Sequence, residues 1–524
     1  MESGKGFENE TVGIGSSTAS MSTYLLLGKL VAFIVAAISL VVVARILGPS
    51  GYGVYVVAIA VAGVAGAVGN FGIGTALTKF ISEYKSKKNA KMINEVLSNG
   101  MAILVVVGTI FTVATFLLSG IAAEYALHGV QYTYILQTAS LIILVSILSG
   151  AIYSSLIGFG YGKYSALYSI FEILVQGGLS ISLALLGFGP ISPVIGIIFG
   201  QLTGFIFCLY VIYIIKGNKL VMPSIAGMRK LFNFSAPIAL SNFFSSVVSD
   251  FSVIFLGLFV ASAVVGNFGI AARTNYLGDI VVGSIGLAIL PGFTRLFAGK
   301  KKKSEIGRFY NKALYVSLVV VSPFMFFLIF FAKPVSYLAF SSAYQFAPLY
   351  IAVAAAGIII SIFGSYSSTV LISDNRTKDV MKYRIYIFGI QLVMMLLLVY
   401  LFKGIGLAVL IFLIGPVLQC IFYTRRISSL YKIKTEYKRV FMVLISNILS
   451  FSAVYVLLSF LGNNYLLLVP LGILGVLILY PIVLGVTRSL EREDSKMMKE
   501  LSTNMPVVGK LLCIVLSYAE AFMP

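Results

Sequence analysis

The chain has 524 residues, 59% of them hydrophobic and 11% charged, with a formal net charge of +20. Soluble domains carry about a quarter charged residues, so a water-soluble fold is excluded. The Lys and Arg residues fall in short clusters between apolar windows, not on one basic domain, which excludes a nucleic-acid-binding module.

Residues 1–20 are mixed in charge and read as a cytoplasmic N-terminal tail. The first apolar run, Met21 to Leu47, is longer than the apolar core of a cleaved signal peptide and is expected to remain as the first span. A bilayer needs roughly 20 apolar residues per helix. Such windows fall near 21–46, 53–81, 94–118, 132–158, 164–187, 191–215, 231–260, 264–294, 309–331, 345–372, 381–402, 404–424, 439–461 and 464–487. The expected fold is therefore an all-α polytopic membrane protein with about 14 transmembrane helices.

With a cytoplasmic N-terminus, 33 of the 38 Lys and Arg residues lie on the cytoplasmic side. Arg45, Lys333 and Lys403 lie outside, and Lys29 and Arg273 lie within spans. Positive charge collects on the cytoplasmic side of membrane proteins, so the division predicts a cell (cytoplasmic) membrane protein with both termini cytoplasmic. The cluster Lys300 to Lys303 reads as an anchor to anionic lipid. After Pro506, the run Val507 to Ala519 is too short to span, and 488–524 is expected to be an amphipathic tail on the inner surface.

Sliding the chain on itself by 213 residues aligns Ser22 with Ser235, Ser39 with Ser252, Gly53 with Gly266, Ala58 with Ala271, Leu77 with Leu290 and Phe80 with Phe293. The same offset places Tyr153-Ser154-Ser155 on Tyr366-Ser367-Ser368. Six spans separate equivalent positions, so the copies enter the membrane from the same side, as a parallel repeat. The expected domains are an N-lobe at 21–217 (helices 1–6), a cytoplasmic linker at 218–230, a C-lobe at 231–426 (helices 7–12), and helices 13–14 at 439–487 outside the repeat. Two such lobes rocking about a central cleft would carry a polar substrate across.

The hairpin ARILGPSGYGVYVVA at Ala44 to Ala58, followed by NFGIGTALTKFISEY at Asn70 to Tyr84, resembles the polysaccharide transporter family. These are oligosaccharidyl-lipid flippases of the multidrug/oligosaccharidyl-lipid/polysaccharide exporter superfamily, related to multidrug exporters of the MATE type. In the second copy, VVGNFGIAART and AILPGFTRL at Ala288 to Leu296 are similar to the same family. The resemblance implies alternating access and a lipid-linked oligosaccharide or polysaccharide repeat unit moved from the inner to the outer leaflet. The implied partners are membrane lipids, a polyprenyl-linked saccharide, and glycosyltransferases or a polymerase of the same pathway; the chain is expected to be a monomer.

An ionisable residue inside a span costs roughly 2.5–3.5 kcal/mol, so each is a functional candidate. Lys29 and Glu172 each lie about eight residues from the cytoplasmic ends of their spans, at a depth of about 12 Å, and can pair. Asp250 and Arg273 lie equally far from the external turn near Ala261 to Val264 and can also pair. Asp279 lies some 120° round the helix from Arg273. For both couples two readings stand: structural ion pairs, or cleft-facing groups that contact substrate or a coupling ion. A guanidinium suits a phosphate because its fork binds two oxygens, and the resemblance makes Lys29 and Arg273 the phosphate contacts, with Arg45 at the external mouth. Asn242, equivalent to Lys29, together with Asn70, Gln176 and Gln201, either bonds sugar hydroxyls or joins helices. Gly63, Gly66, Gly69 and Gly72 recur every third residue in the second span, consistent with close helix contact or with bending during lobe motion.

No catalytic set, cofactor or metal site is expected: there is no phosphate-binding GxxxxGK[ST] run, and Cys208, Cys420 and Cys513 lack ligand spacing. One alternative is a cation-coupled multidrug exporter using Glu172 or Asp250. Another is a membrane saccharide polymerase or ligase, for which Glu124 and His128 form the external pair to test.

Overall fold

The structure, a computed structural model, describes residues 2–299, 302–401, 405–462 and 464–487, with Ser489, Ser517, Tyr518 and Glu520. Within these, the side chains of 2–27, 29–30, 237–249, 274–281, 283–285, 287–288, 291, 398–401 and 405–410 are not described. The described residues are all-helical. In chain order the helices are α1 Glu2–Gly69, α2 Ile73–Ser86, α3 Ala90–Ala126, α4 Thr133–Gly158, α5 Gly162–Leu185, α6 Ile191–Leu209, α7 Ile225–Phe259 and α8 Ser262–Ala298. They continue with α9 Lys303–Phe330, α10 Ala332–Phe340, α11 Ala347–Ser373, α12 Thr377–Leu401, α13 Ile405–Tyr431, α14 Tyr437–Ser459 and α15 Tyr465–Val486.

Ten described stretches are long and apolar enough to cross a membrane. One of them, Val31–Gly69, joins the first expected span to part of the second, and α7, α8 and α13, which hold the seventh, eighth and twelfth, include side chains outside those described. Large apolar side chains such as Leu117, Phe460 and Leu466 point outward, an exterior that water would not tolerate and lipid requires. The protein is a multi-pass membrane protein. The expected inner-surface tail at 488–524 lies almost wholly outside the described residues.

The chain divides into two units, Met1–Gly266 and Asn267–Pro524. In the first, α1 climbs beside α5 in parallel: a Cβ on Gly28 would fall 2.8 Å from the Ala166 Cα, and one on Gly177 would fall 3.3 Å from the Ser39 Cβ. At Gly48 (φ 64°, ψ 176°) the helix breaks before Pro49. Gly51 then approaches Pro190 in the loop beyond α5. Twenty-one residues past the break, Gly69 abuts Phe111, fifteen residues short of the end of α3. The chain therefore reverses at Gly48-Pro49, as the turn residues predict.

The second span is not the single helix expected over 53–81. Phe71 (φ 42°) and Gly72 (φ 64°) are both left-handed. They end α1 at Gly69 and restart the chain as α2, with Ile73 N–H donating to the Asn70 carbonyl across the gap. Below the gap, α2 is held on α4: Thr78 Oγ1 donates to the Ser154 carbonyl at 2.8 Å, and a Cβ on Gly158 would fall 2.9 Å from the Thr78 carbonyl oxygen. In the repeat's second copy the backbone of α8 runs helical through the equivalent positions.

In the second unit, α11 packs on α9 and α13 around Tyr310, Tyr366, Phe293 and Ile362, all buried. Helices α14 and α15, outside the repeat, join this core. Asn447 donates to Ser322 Oγ at 2.9 Å, Tyr480 donates to the Val319 carbonyl at 3.1 Å, and Phe451 packs on Phe326 and Phe330.

The offset of 213 holds for the hairpins and for the starts of α3 and α9, but not throughout. The turn after α4 has Gly160 left-handed, and its N–H donates to the Ile157 carbonyl. The same turn recurs after α11 at Asn375, bonded to Ile372, an offset of 215. The linkers agree: Val221 N–H donates to Ser98 Oγ as Glu436 N–H donates to Asn311 Oδ1. Two extra residues thus enter the second copy between Asn311 and Val370. Tyr153 is equivalent to Ser368, so the match of Tyr153-Ser154-Ser155 with Tyr366-Ser367-Ser368 was out of register, because Ser-rich apolar helices align by chance.

Candidate functional site

Three features build the candidate site in the first unit: the hairpin tip, the Asp250 contact and the Glu172 group. At the tip, a Cβ on Gly53 would strike the Ser262 carbonyl oxygen and fall 3.0 Å from the Gly266 nitrogen. A Cβ on Gly266 would strike the Pro49 carbonyl oxygen and fall 3.0 Å from the Gly53 nitrogen. Pro49 and Ser262 are themselves repeat equivalents, as are Gly53 and Gly266. The hairpin thus meets its own copy in a reciprocal contact, the signature of a local two-fold axis. Only glycine lets the backbones approach this closely.

Deeper along α1, the Asp250 carboxyl of α7 lies against Gly63, its Cγ 2.9 Å from where a Cβ would stand. Asp250 is half-buried; Arg45 and Arg273 are exposed. The glycine spacing in the second span therefore marks an approach to a carboxylate, not only to apolar helix surface. Asn242 and Asp279 have side chains outside those described, as does Lys29.

Glu172 sits on α5 beside the Tyr168 hydroxyl, which hydrogen-bonds Ser149 Oγ at 2.7 Å. The glycine contacts put residue n of α1 level with residue n + 138 of α5, so Glu172 is level with position 34. Lys29 lies five residues below, about 7.5 Å at 1.5 Å per residue, rather than at the equal depth read from span ends. On its other side Glu172 meets α6, where a Cβ on Gly200 would fall 2.7 Å from the Glu172 carbonyl oxygen.

A second constellation, at the basic end of each unit, was not singled out from the sequence. In the second unit, Arg376 Nε bonds Asp374 Oδ2 at 2.8 Å, Arg426 Nη2 bonds Asp379 Oδ2 at 2.8 Å, and Tyr431 donates to Asp374 Oδ2 at 2.5 Å. Burial, then this bond to Asp374, holds the Tyr431 phenol above its usual range. In the first unit the offset of 215 replaces Asp374, Arg376, Asp379 and Tyr431 by Phe159, Tyr161, Tyr164 and Lys216. The Phe159 and Tyr161 rings stack at 5.1 Å, and Lys216 Nζ lies 4.8 Å from the Tyr161 centroid. The ion network is a fastening for the α11–α12 turn. Asp379→Ala is expected to cost about 1 kcal/mol of stability, less at high salt, as partly exposed pairs do; thermal melts at two ionic strengths measure it.

Among the described residues no group of three or more His, Cys, Asp or Glu is placed to hold a metal ion. Cys208 and Cys420 are free, the former buried.

Solved structures share this architecture. An inward-facing multidrug resistance MATE family transporter of the MOP superfamily matches at TM-score 0.63 and 15% identity, over 77% of this chain and 96% of that one. The lipid II flippase MurJ, in an inward closed conformation, matches at TM-score 0.68 and 15% identity, over 88% and 98%. A MOP superfamily transporter from Pyrococcus furiosus matches at TM-score 0.54 and 15% identity, over 79% and 96%. No curated relative matches the sequence. The chain has a fold similar to that of these transporter structures. It belongs to the polysaccharide biosynthesis protein family, which matches residues 20–297, more than half of its length. The MatE family matches residues 237–400.

Proposed function

We propose that the protein is a flippase that moves a lipid-linked oligosaccharide or polysaccharide repeat unit from the inner to the outer leaflet by alternating access. The observation that carries the reading is the family match over residues 20–297, which takes in the hairpin, its copy and Arg273. The reciprocal contact at Gly53 and Gly266 supports the mechanism: where two backbones meet at glycines, no side chains of those residues interlock to hinder parting and re-forming. Arg273 and Lys29 hold the phosphate, Arg45 guards the external mouth, and Asn242 meets the sugar. Glu172, Asp250 and Asp279 serve coupling or pair with these cations. No catalysis is assigned to the chain.

Arg273→Ala is expected to lower delivery of lipid-linked saccharide to the outer leaflet at least tenfold while the protein still inserts. The measurement is reconstituted flipping with a defined polyprenyl-linked donor, beside an insertion control. Full translocation by the variant removes Arg273 from the site. The MatE match over 237–400 favours a second reading, a cation-coupled exporter. Under that reading the same vesicles would expel organic cations and leave the saccharide lipid in place.

A further inference from the structure

We propose that Lys85, Tyr161 and Lys216, at the basic end of the first unit, form a binding site for the phosphate group of an anionic lipid of the adjacent leaflet. The proposal stands apart from the cargo assigned above.

Two ammonium groups converge on one ring. Lys216 Nζ lies 4.8 Å from the Tyr161 centroid and 5.5 Å from that of Tyr164, and Lys85 Nζ lies 5.3 Å from Tyr161. Lys85 spends one donor on the Phe159 carbonyl at 2.5 Å, which leaves two. Among the described residues neither lysine has a carboxylate partner, and the one acidic residue of α2, Glu83, is taken by Lys87 at 2.7 Å. Like charges gathered on one ring repel, so the arrangement is completed by an anion.

The repeat supplies an internal comparison. At the equivalent node of the second unit, Asp374 and Asp379 neutralise Arg376 and Arg426 within the protein. At the first-unit node both acidic positions have become aromatic, Phe159 and Tyr164, the two arginine positions have become Tyr161 and Val211, and the cations come from elsewhere: Lys216, at the position of Tyr431, and Lys85 of α2. Aromatic rings beneath a lysine hold the ammonium without cancelling its charge.

The strap that follows Lys216 says that the anion is carried on a lipid. Asn94, Ser98 and Asn99 of α3 accept the N–H groups of Lys219, Val221 and Ser224 and pin the strap's backbone. Its apolar side chains face out: Leu220 is 71% exposed, Met222 95% and Ile225 81%, with Ile214 and Ile215 also exposed just before Lys216. A pinned backbone that turns apolar groups outward beside paired cations matches an acyl-chain boundary with phosphate above it.

The test uses the full chain in phosphatidylcholine vesicles with and without phosphatidylglycerol, with lipid retention read by native mass spectrometry. The wild type is expected to retain phosphatidylglycerol over phosphatidylcholine. K85M/K216M, which keeps the side-chain stems, should retain it about thirtyfold less, the factor expected from losing two interfacial cations. K85R/K216R and Tyr161→Phe should retain it, whereas Tyr161→Ala should not. K432A/K438A removes the same charge at the basic end of the second unit and should change nothing. Equal loss in that control, or full retention by K85M/K216M, overturns the proposal. Displacement by inorganic phosphate alone would make the ligand a free anion and overturn the lipid assignment. Melting temperatures of each variant in neutral detergent separate loss of the site from loss of fold.

Discussion

Replacing Gly53 with Ala is expected to abolish transport while leaving the protein folded and inserted, and Gly266→Ala is expected to do the same. Each added Cβ meets a backbone carbonyl of the repeat partner, Ser262 in one case and Pro49 in the other. Backbone cannot rotate aside as a flexible side chain would, so the hairpin and its copy must move apart. Overpacking of this kind costs about 1–3 kcal/mol, which depopulates the joined arrangement roughly 5- to 150-fold. Fold stability is expected to change little, because the contact joins two elements that are each held elsewhere. The decisive measurement pairs flipping with a cysteine cross-link across the tip, Pro49→Cys with Ser262→Cys. Loss of both flipping and cross-link in Gly53→Ala supports a contact that must re-form in every cycle. Normal flipping with the cross-link lost would show the contact to be dispensable.

Replacing Gly200 with Leu is expected to unfold the first unit. A Cβ there would lie 2.7 Å from the Glu172 carbonyl oxygen and 2.7 Å from the Gln176 Cβ, and Gly196 one turn earlier is confined by the Gln176 carbonyl oxygen at 2.6 Å. Helices in lipid associate through such close approach because hydrocarbon offers them no hydrophobic drive. A leucine would push α6 off α5 along its length, at a cost of about 3 kcal/mol or more. Size-exclusion profiles and melting in detergent would show the loss; a profile and midpoint like those of the wild type would mean that α6 can shift freely. Gly178 of α5 faces open space, and Gly178→Ala is the matched control expected to be neutral.

Much of the fold was legible because membrane helices are written in one dimension: an apolar run and its charged ends fix a span with little help from distant residues. Gly48-Pro49 announced the reversal, and the pairing of Gly53 with Gly266 anticipated two residues that proved to touch. What escaped had no local signature. The gap at Asn70 to Gly72 falls inside an apolar run that reads as one span, and depends on left-handed backbone at Phe71 and Gly72. The shift of offset from 213 to 215 was hidden because serines recur in these helices. The Lys29 depth was misjudged because span ends read from charge are ragged by more than one turn. The lysine node draws on α2, on the turn after α4 and on the end of the sixth span, three segments that only folding brings together.

The gap in the second span bears on how the chain is made. At fourteen residues, α2 is about 21 Å long, too short to cross the roughly 30 Å hydrocarbon layer, and it carries Lys79, Glu83 and Lys85. It completes the second span below the apolar stretch from Pro49 to Gly69 rather than crossing alone. Its fastenings, Ser154 and Gly158, emerge some seventy-five residues later. This half of the second span therefore meets its packing partner only after the third span and α4 have been made.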